Sequence, residues 1–139
     1  MSDLLVVNEE ELTFDEDDGT ARYDGQRFTG RSVEVAEDGT RLEQEYDRGY
    51  KHGCYRVHAP DGMLLVESHY KFGAAHGLHR RWHRNGQLAE ERMAEEAFIV
   101  WERHWDPEGN VTLDYRMTED DFRSLKLSDE MRAAARART

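Results

Sequence analysis

The most reactive side chains of this chain are one thiol and a crowd of imidazoles, and they lie together. Cys54 is the single cysteine and has His52 and His58 close by. Six of the seven histidines (His52, His58, His69, His76, His79 and His83) fall between residues 49 and 84. A thiol becomes a nucleophile only with an adjacent base. Residues two apart on a strand share a face but stand roughly 6.5 to 7 Å apart, too far for direct activation. Metal binding fares no better on spacing. His79 and His83 would share a helix face, yet on a strand the same interval spans about 13 Å. His52 and His76 are one repeat length apart, which puts about two strand widths, 9.5 Å, between them. These histidines are expected in turns and on the surface, where their titration near neutrality would make binding sensitive to pH. A lone cysteine excludes an internal disulfide and a thiolate zinc cage, as suits a reducing compartment. Neighbouring acids such as Glu90-Glu91 and Glu95-Glu96 point to opposite faces of a strand. No glycine-rich loop opens a helix to cradle phosphate. No catalytic residue, cofactor or metal is expected.

The elements that carry these residues are announced by glycine. An acidic or amide residue precedes glycine at Asp38-Gly39, Asp61-Gly62, Asn85-Gly86 and Glu108-Gly109, with glycine intervals of 23, 24 and 23. A second series, Gly30, Gly53 and Gly77, runs nine residues ahead of the first, and Val100 stands where its fourth member would be. Both series read as hairpin turns, the Asp-Gly and Asn-Gly pairs as two-residue turns with two positive φ angles. Short segments rich in Val, Leu, Tyr and Trp lie between them and read as strands. Asp18-Gly19 after Leu12-Thr13-Phe14 suggests a degenerate leading hairpin. Parity places Arg31, Val35, Cys54, His58, Leu78, Trp82, Trp101 and Trp105 on one face. Tyr55 and Val57 fall on the other, so either both faces are partly covered or a bulge shifts the register.

At 139 residues the chain has room for one domain. Hydrophobic residues make up 37% and charged ones 35%, which favours a thin core with much wet surface. Residues 1–117 are expected as one repeat domain, best defined over 23–115. Thr118 with Asp121 looks like a helix N-cap, and Ser128 opens a second acidic-to-basic run. Residues 118–139 therefore read as a cap of helices over about 118–125 and 128–138 that covers a sheet edge.

The net charge of −11 is unevenly spread. Residues 1–48 hold 5 cations against 15 acids, residues 49–84 hold 6 against 2, and residues 85–139 hold 8 against 13. Such a chain resists nucleic acid and anionic lipid and is drawn to basic partners. The opening residues lack the basic start of a signal peptide, and no run approaches the length of a membrane span, so the cytoplasm is expected.

Three stretches carry a family resemblance: Tyr23-Asp-Gly-Gln-Arg-Phe-Thr-Gly30; Tyr46-Asp-Arg-Gly-Tyr-Lys-His-Gly53; and Tyr70-Lys-Phe-Gly-Ala-Ala-His-Gly77 followed by Trp82-His-Arg-Asn-Gly86-Gln-Leu88. They resemble variant bacterial MORN repeats over roughly residues 20–115. The fourth stretch, Glu95 to Trp101, departs from the pattern by lacking the glycine. The resemblance implies a mainly β fold: an elongated antiparallel meander of stacked hairpins in a single curved sheet. It also implies a non-catalytic protein-binding module, an immunity protein or antitoxin that occludes the active surface of a cognate toxin. The partner expected is then a basic toxin domain. Acids Glu9, Glu10, Glu11, Asp15, Glu16, Asp17 and Asp18, with Tyr55, Trp82, Trp101 and Trp105, are the candidate contact residues. The tryptophans are equally eligible as thin core. The alternative is a membrane- or lipid-associated scaffold using the basic residues Lys51, Lys71, Arg80, Arg81 and Arg84, opposed by the acidic flanks.

Overall fold

Two kinds of turn alternate along the chain and lay it down as a ribbon. The computed structural model describes residues 4–121. Its strands are β1 Val6–Asn8, β2 Leu12–Phe14, β3 Ala21–Tyr23, β4 Gln26–Arg27, β5 Gly30–Val35, β6 Arg41–Asp47 and β7 Tyr50–His58. They continue as β8 Leu64–Lys71, β9 Ala74–Ala75, β10 Gly77–Trp82, β11 Leu88–Glu95, β12 Phe98–Trp105 and β13 Val111–Arg116. A 3-10 turn, Glu9–Glu11, follows β1. The main sheet runs β1-β5-β6-β7-β8-β10-β11-β12-β13, with β9 paired to β8, and β2-β3-β4 form a small second sheet. From β5 onward strand order equals chain order and neighbours are antiparallel, so the expected hairpin meander is present. Only β1 joins in parallel, beside β5. The leading hairpin expected from Leu12-Thr13-Phe14 exists as β2–β3, but in the small sheet.

The tight turns are not where the second glycine series placed them. Asp24-Gly25, Arg48-Gly49, Phe72-Gly73 and Glu96-Ala97 have positive φ at both residues, as two-residue turns between twisted strands require. They recur every 24 residues. Gly30, Gly53 and Gly77 instead open or interrupt strands β5, β7 and β10. Positive φ serves a bulge as well as a turn, so the residue type alone did not separate the two. The Asp-Gly series also differs from expectation. There the glycine alone has positive φ, and its amide donates to the carbonyl three residues back, as Gly39 does to Ala36 and Gly62 to Ala59. These are three-residue loops with a bulge. The side chain before the glycine accepts the amide two residues on, at Asp38, Asp61 and Asn85.

Stacking of units is carried by the tight turns. The second turn residue donates its amide to the preceding unit: Gly49 to the Phe28 carbonyl at 2.8 Å, Gly73 to Lys51 at 2.8 Å and Ala97 to Ala75 at 3.0 Å.

Two buried clusters hold the ends of the sheet, on opposite faces. Val7, Leu12, Ala21, Phe28 and Tyr46 pack at the N-terminal end, where Val7 is in register with Ser32. Val100, Trp101 and Met117 pack at the other end with Leu78 and Met93. Leu78, Met93 and Trp101 are aligned across β10, β11 and β12. Register places Ser32, Gln44, Tyr55 and Val57 on the other face, so both faces are partly covered and the covered side changes along the ribbon. Bulges at Val57/His58 and its equivalents are present too. Val100, in the place of the missing glycine, is fully buried. Thr118 does cap a helix start, exchanging hydrogen bonds with the Asp121 carboxylate and amide. The rest of the expected 118–125 helix, and the one at 128–138, lie outside the described residues.

The turns differ in a way that mutation reads directly. Gly49 has φ of +87°, and a Cβ there would stand 2.7 Å from Thr20 Cβ. Gly49→Ala is expected to destabilise by about 2 kcal/mol or more. Ala97 occupies the equivalent place at φ of 72°, exposed to solvent. Ala97→Gly is expected to stabilise by about 0.5 kcal/mol, relief of the left-handed strain exceeding the added chain entropy. Urea titrations of both variants check the pair, and equal signs would refute the turn assignment.

Candidate functional site

Most charged side chains on the sheet are already spoken for by their neighbours. Across one face, Glu43, Arg56, Glu67, Arg80, Glu91, Arg103 and Asp114 fall in cross-strand register, with alternating sign from β6 to β13. Close pairs along it are Arg56–Glu67 at 3.1 Å, Arg80–Glu91 at 2.9 Å and Arg103–Asp114 at 3.0 Å. Two other cations of the middle segment are also bridged, Arg81 to Glu90 at 3.2 Å and Arg84 to Asp61 at 3.1 Å. The basic waist seen in the sequence is therefore largely neutralised in the fold.

The opposite face carries a line of types that deserves a chemical test. Ser68 Oγ hydrogen-bonds His79 Nδ1 at 2.5 Å, and His79 Nε2 lies 3.4 Å from Glu90 Oε2. Serine, imidazole and carboxylate are the parts of a nucleophilic triad. Here, however, Glu90 also bridges Arg81 and stands 3.7 Å from His104, and Ser68 is buried. Arg92–Glu102–His104 continues the same network. The strands around it are paired with one another in the sheet. The arrangement is a half-buried polar network bracing β8, β10, β11 and β12. Burial first, and then the Arg92 charge, lower the proton affinity of His79; Glu90 and Glu102 oppose them.

Cys54 lies across from His69 rather than from His52 or His58. The His69 ring nitrogen Nδ1 is engaged by the Leu78 carbonyl at 2.8 Å, and burial pushes the thiol up, away from activation. His52, His69 and His76 line one shallow groove with Leu78. Among the described residues no cluster of His, Cys, Asp and Glu has metal-holding geometry.

A cavity of about 320 Å³ opens where the 3-10 turn overhangs the N-terminal half of the sheet. Ser32 and Glu34 from β5, Leu42, Gln44 and Tyr46 from β6, Lys51 and Tyr55 from β7 and Tyr70 from β8 line it together with Glu9. Register puts these strand residues on one face. The acids stand at the β5 end and Tyr55 and Tyr70 at the β7–β8 end. A hydrogen bond to the Glu34 carboxyl, desolvation and the Glu34 charge raise the proton affinity of Glu9, while Lys51 opposes this. Burial, and behind it the Glu9 charge, raise the Tyr46 phenol, which bonds Ser32. Tyr55 is raised by burial first and then by Tyr70, Glu34 and Glu9. Lys51 Nζ sits 5.5 Å above the Tyr70 ring. The cavity combines negative field with aromatic faces, the chemistry that attracts a cation.

Of the candidate contact residues, Glu9 and Tyr55 meet in this cavity. Asp15 and Asp18 are occupied in their own loop, by Arg22 at 3.4 Å and Arg27 at 3.1 Å. Glu11 accepts the Asn8 amide. Glu10, Glu16 and Asp17 are exposed and make no ion pair among the described residues. Trp101 is 6% exposed and belongs to the core, which removes it from the contact set. Trp82 and Trp105 are half-buried on the same face. Glu34, Tyr46 and Tyr70 were missed as site residues, although Tyr23, Tyr46 and Tyr70 recur at intervals of 23 and 24 and open the first three repeats; Lys51 was singled out only for the lipid alternative. Comparison with family models, curated proteins and solved structures finds no match to this chain.

The network around His79 sets a pH dependence. Its folded proton affinity is below that of the unfolded chain, whose imidazoles titrate near 6.5. The stability it protects is present above that pH and is lost as pH falls through the window beneath it. His79→Gln is expected to flatten the fall of stability between about pH 6.5 and 5. Urea midpoints of both proteins across that range check it, and parallel profiles would show that His79 titrates freely.

Proposed function

We propose that this chain is a non-catalytic protein-binding module that captures a basic protein, in the manner of an immunity protein or antitoxin held in the cytoplasm. The observation that carries this reading is the division of charge. In the middle of the sheet the arginines are matched to acids, at Arg56, Arg80, Arg81 and Arg84. At the N-terminal end Glu10, Glu16, Asp17 and Glu37 project into solvent without ionic partners among the described residues. Unmatched charge acts at long range, speeding the approach of a basic surface and selecting against acidic ones. The likeness of the repeats to variant MORN sequences supplies the immunity-type setting, in which the partner is a basic toxin domain. Bridging of Arg80, Arg81 and Arg84 weakens the patch on which a lipid-bound scaffold would rely, leaving Lys51 and Lys71 of its five cations without an acid partner among the described residues. Among the described residues no helix is long and apolar enough to cross a membrane.

The test begins with capture from the native host, identification by mass spectrometry, and reconstitution of the purified pair. The partner is expected to be basic, with an association rate that drops about tenfold or more between low and physiological salt. Reversal of Glu10, Glu16, Asp17 and Glu37 to lysine is expected to slow association by a similar factor. Recovery of lipid alone, or an association rate indifferent to salt and to charge reversal, would overturn the proposal.

A further inference from the structure

We infer that the cavity between the 3-10 turn and strands β5–β8 is a seat for one cationic side chain, a lysine or arginine, that the bound protein inserts between Glu9, Glu34 and the rings of Tyr55 and Tyr70. This deepens the proposed function and rests on it: the acidic rim would bring a basic surface near, and the cavity would fix its register.

Three independent features meet there. The first is shape. The cavity of about 320 Å³ is large enough for one long side chain and is lined from four successive strands, so it is part of the folded sheet. Its base is rigid, because Ser32, Gln44 and Tyr46 are buried, with the Tyr46 phenol tied to Ser32 and the Gln44 amide donating to the Glu45 carbonyl at 2.8 Å.

The second is the pair of carboxyl groups. Glu9 and Glu34 line the same cavity, and the contact with Glu34 raises the proton affinity of Glu9, the mark of two acids held close together. A cation placed between them would relieve the repulsion of two neighbouring acids. The titratable groups that share the lining with this pair are Glu43, Tyr46, Lys51, Tyr55 and Tyr70.

The third is Lys51. Its ammonium already lies 5.5 Å over the Tyr70 ring, inside the cavity lining, and its charge acts on Glu9. The protein's own lysine thus shows the kind of group these surfaces hold. It comes from the strand itself and reaches the tyrosine end, leaving the acid end to be filled from outside. An arriving cation would compete with it for the shared field. Planar guanidinium would stack on tyrosine and bridge two carboxylates at once, while ammonium would use the same contacts as a point charge.

Small probes test the seat without the partner. Nα-acetyl-arginine methylamide and Nα-acetyl-lysine methylamide are titrated into the full chain and followed by NMR of the tyrosine rings, with the neutral norleucine analogue as control. Saturable shifts at Tyr55 and Tyr70 are expected with the cations and not with norleucine. Glu9→Gln with Glu34→Gln is expected to weaken them about fivefold or more, and Lys51→Met to strengthen them. Backbone spectra report that each variant keeps its fold. In the reconstituted complex the same Glu9/Glu34 variant is expected to raise the dissociation rate about tenfold with little change in association, opposite to the rim reversals. Equal response to norleucine, or probe shifts that ignore Glu9 and Glu34, overturn the seat. If the complex forms with its salt dependence but dissociates at the wild-type rate in the variant, the seat is wrong and the basic-partner reading stands. If no basic partner is recovered, that reading falls, while the probe titration still decides whether the cavity takes a cation.

Discussion

A sheet one layer thick has no interior to hide in. Most side chains of its open middle face water on one side or the other, so charges must be satisfied sideways, by the strand next door. In this protein that lateral pairing takes the form of a file of alternating signs from Glu43 to Asp114, one residue per strand. Exposed ion pairs contribute little singly, on the order of 0 to 1 kcal/mol. Their greater effect is on register, because a slip by one residue would send each charged group to the opposite face and away from its partner. Apolar burial is left to the two ends, where the clusters around Phe28 and Trp101 close opposite faces.

The same constraint shapes where recognition can occur. Since most central charges are paired, the unmatched acids lie in turns and loops, Glu10, Glu16, Asp17 and Glu37 toward the N-terminal end and Glu96 and Glu108 toward the other. The cavity sits where acids of the N-terminal end meet the tyrosines of the repeat. It exists because β1 joins the sheet in parallel beside β5 and hangs the Glu9–Glu11 turn over it.

The meander was legible in the sequence because glycine marks backbone that other residues avoid, and it does so in phase. What glycine does not disclose is which irregularity it serves. Gly53 sits in a strand and Gly49 in a turn, four residues apart, and both have positive φ. The tight turn at Glu96-Ala97 contains no glycine at all and was invisible for that reason. Parity found the shared face of Leu78, Trp82, Trp101 and Trp105, but not that Trp101 is the one sealed by Met117. Of the cavity, Glu9 and Tyr55 were within reach of sequence reasoning through charge and aromaticity. Glu34 and Lys51 were not, because only the pairing register unites residues 9, 34, 51 and 70. The Ser68–His79–Glu90 network escaped for the same reason: its members are separated by whole hairpins along the chain.

Because strand order follows chain order from β5 to β13, and each tight turn leans only on the unit before it, no strand in that span depends on a distant one. Duplication or loss of one 24-residue module would therefore lengthen or shorten the ribbon without rethreading it. The two sealed ends would travel with the termini, and the cavity, anchored to the first strands, would keep its geometry whatever the number of modules beyond. Such an architecture lets evolution adjust reach separately from grip.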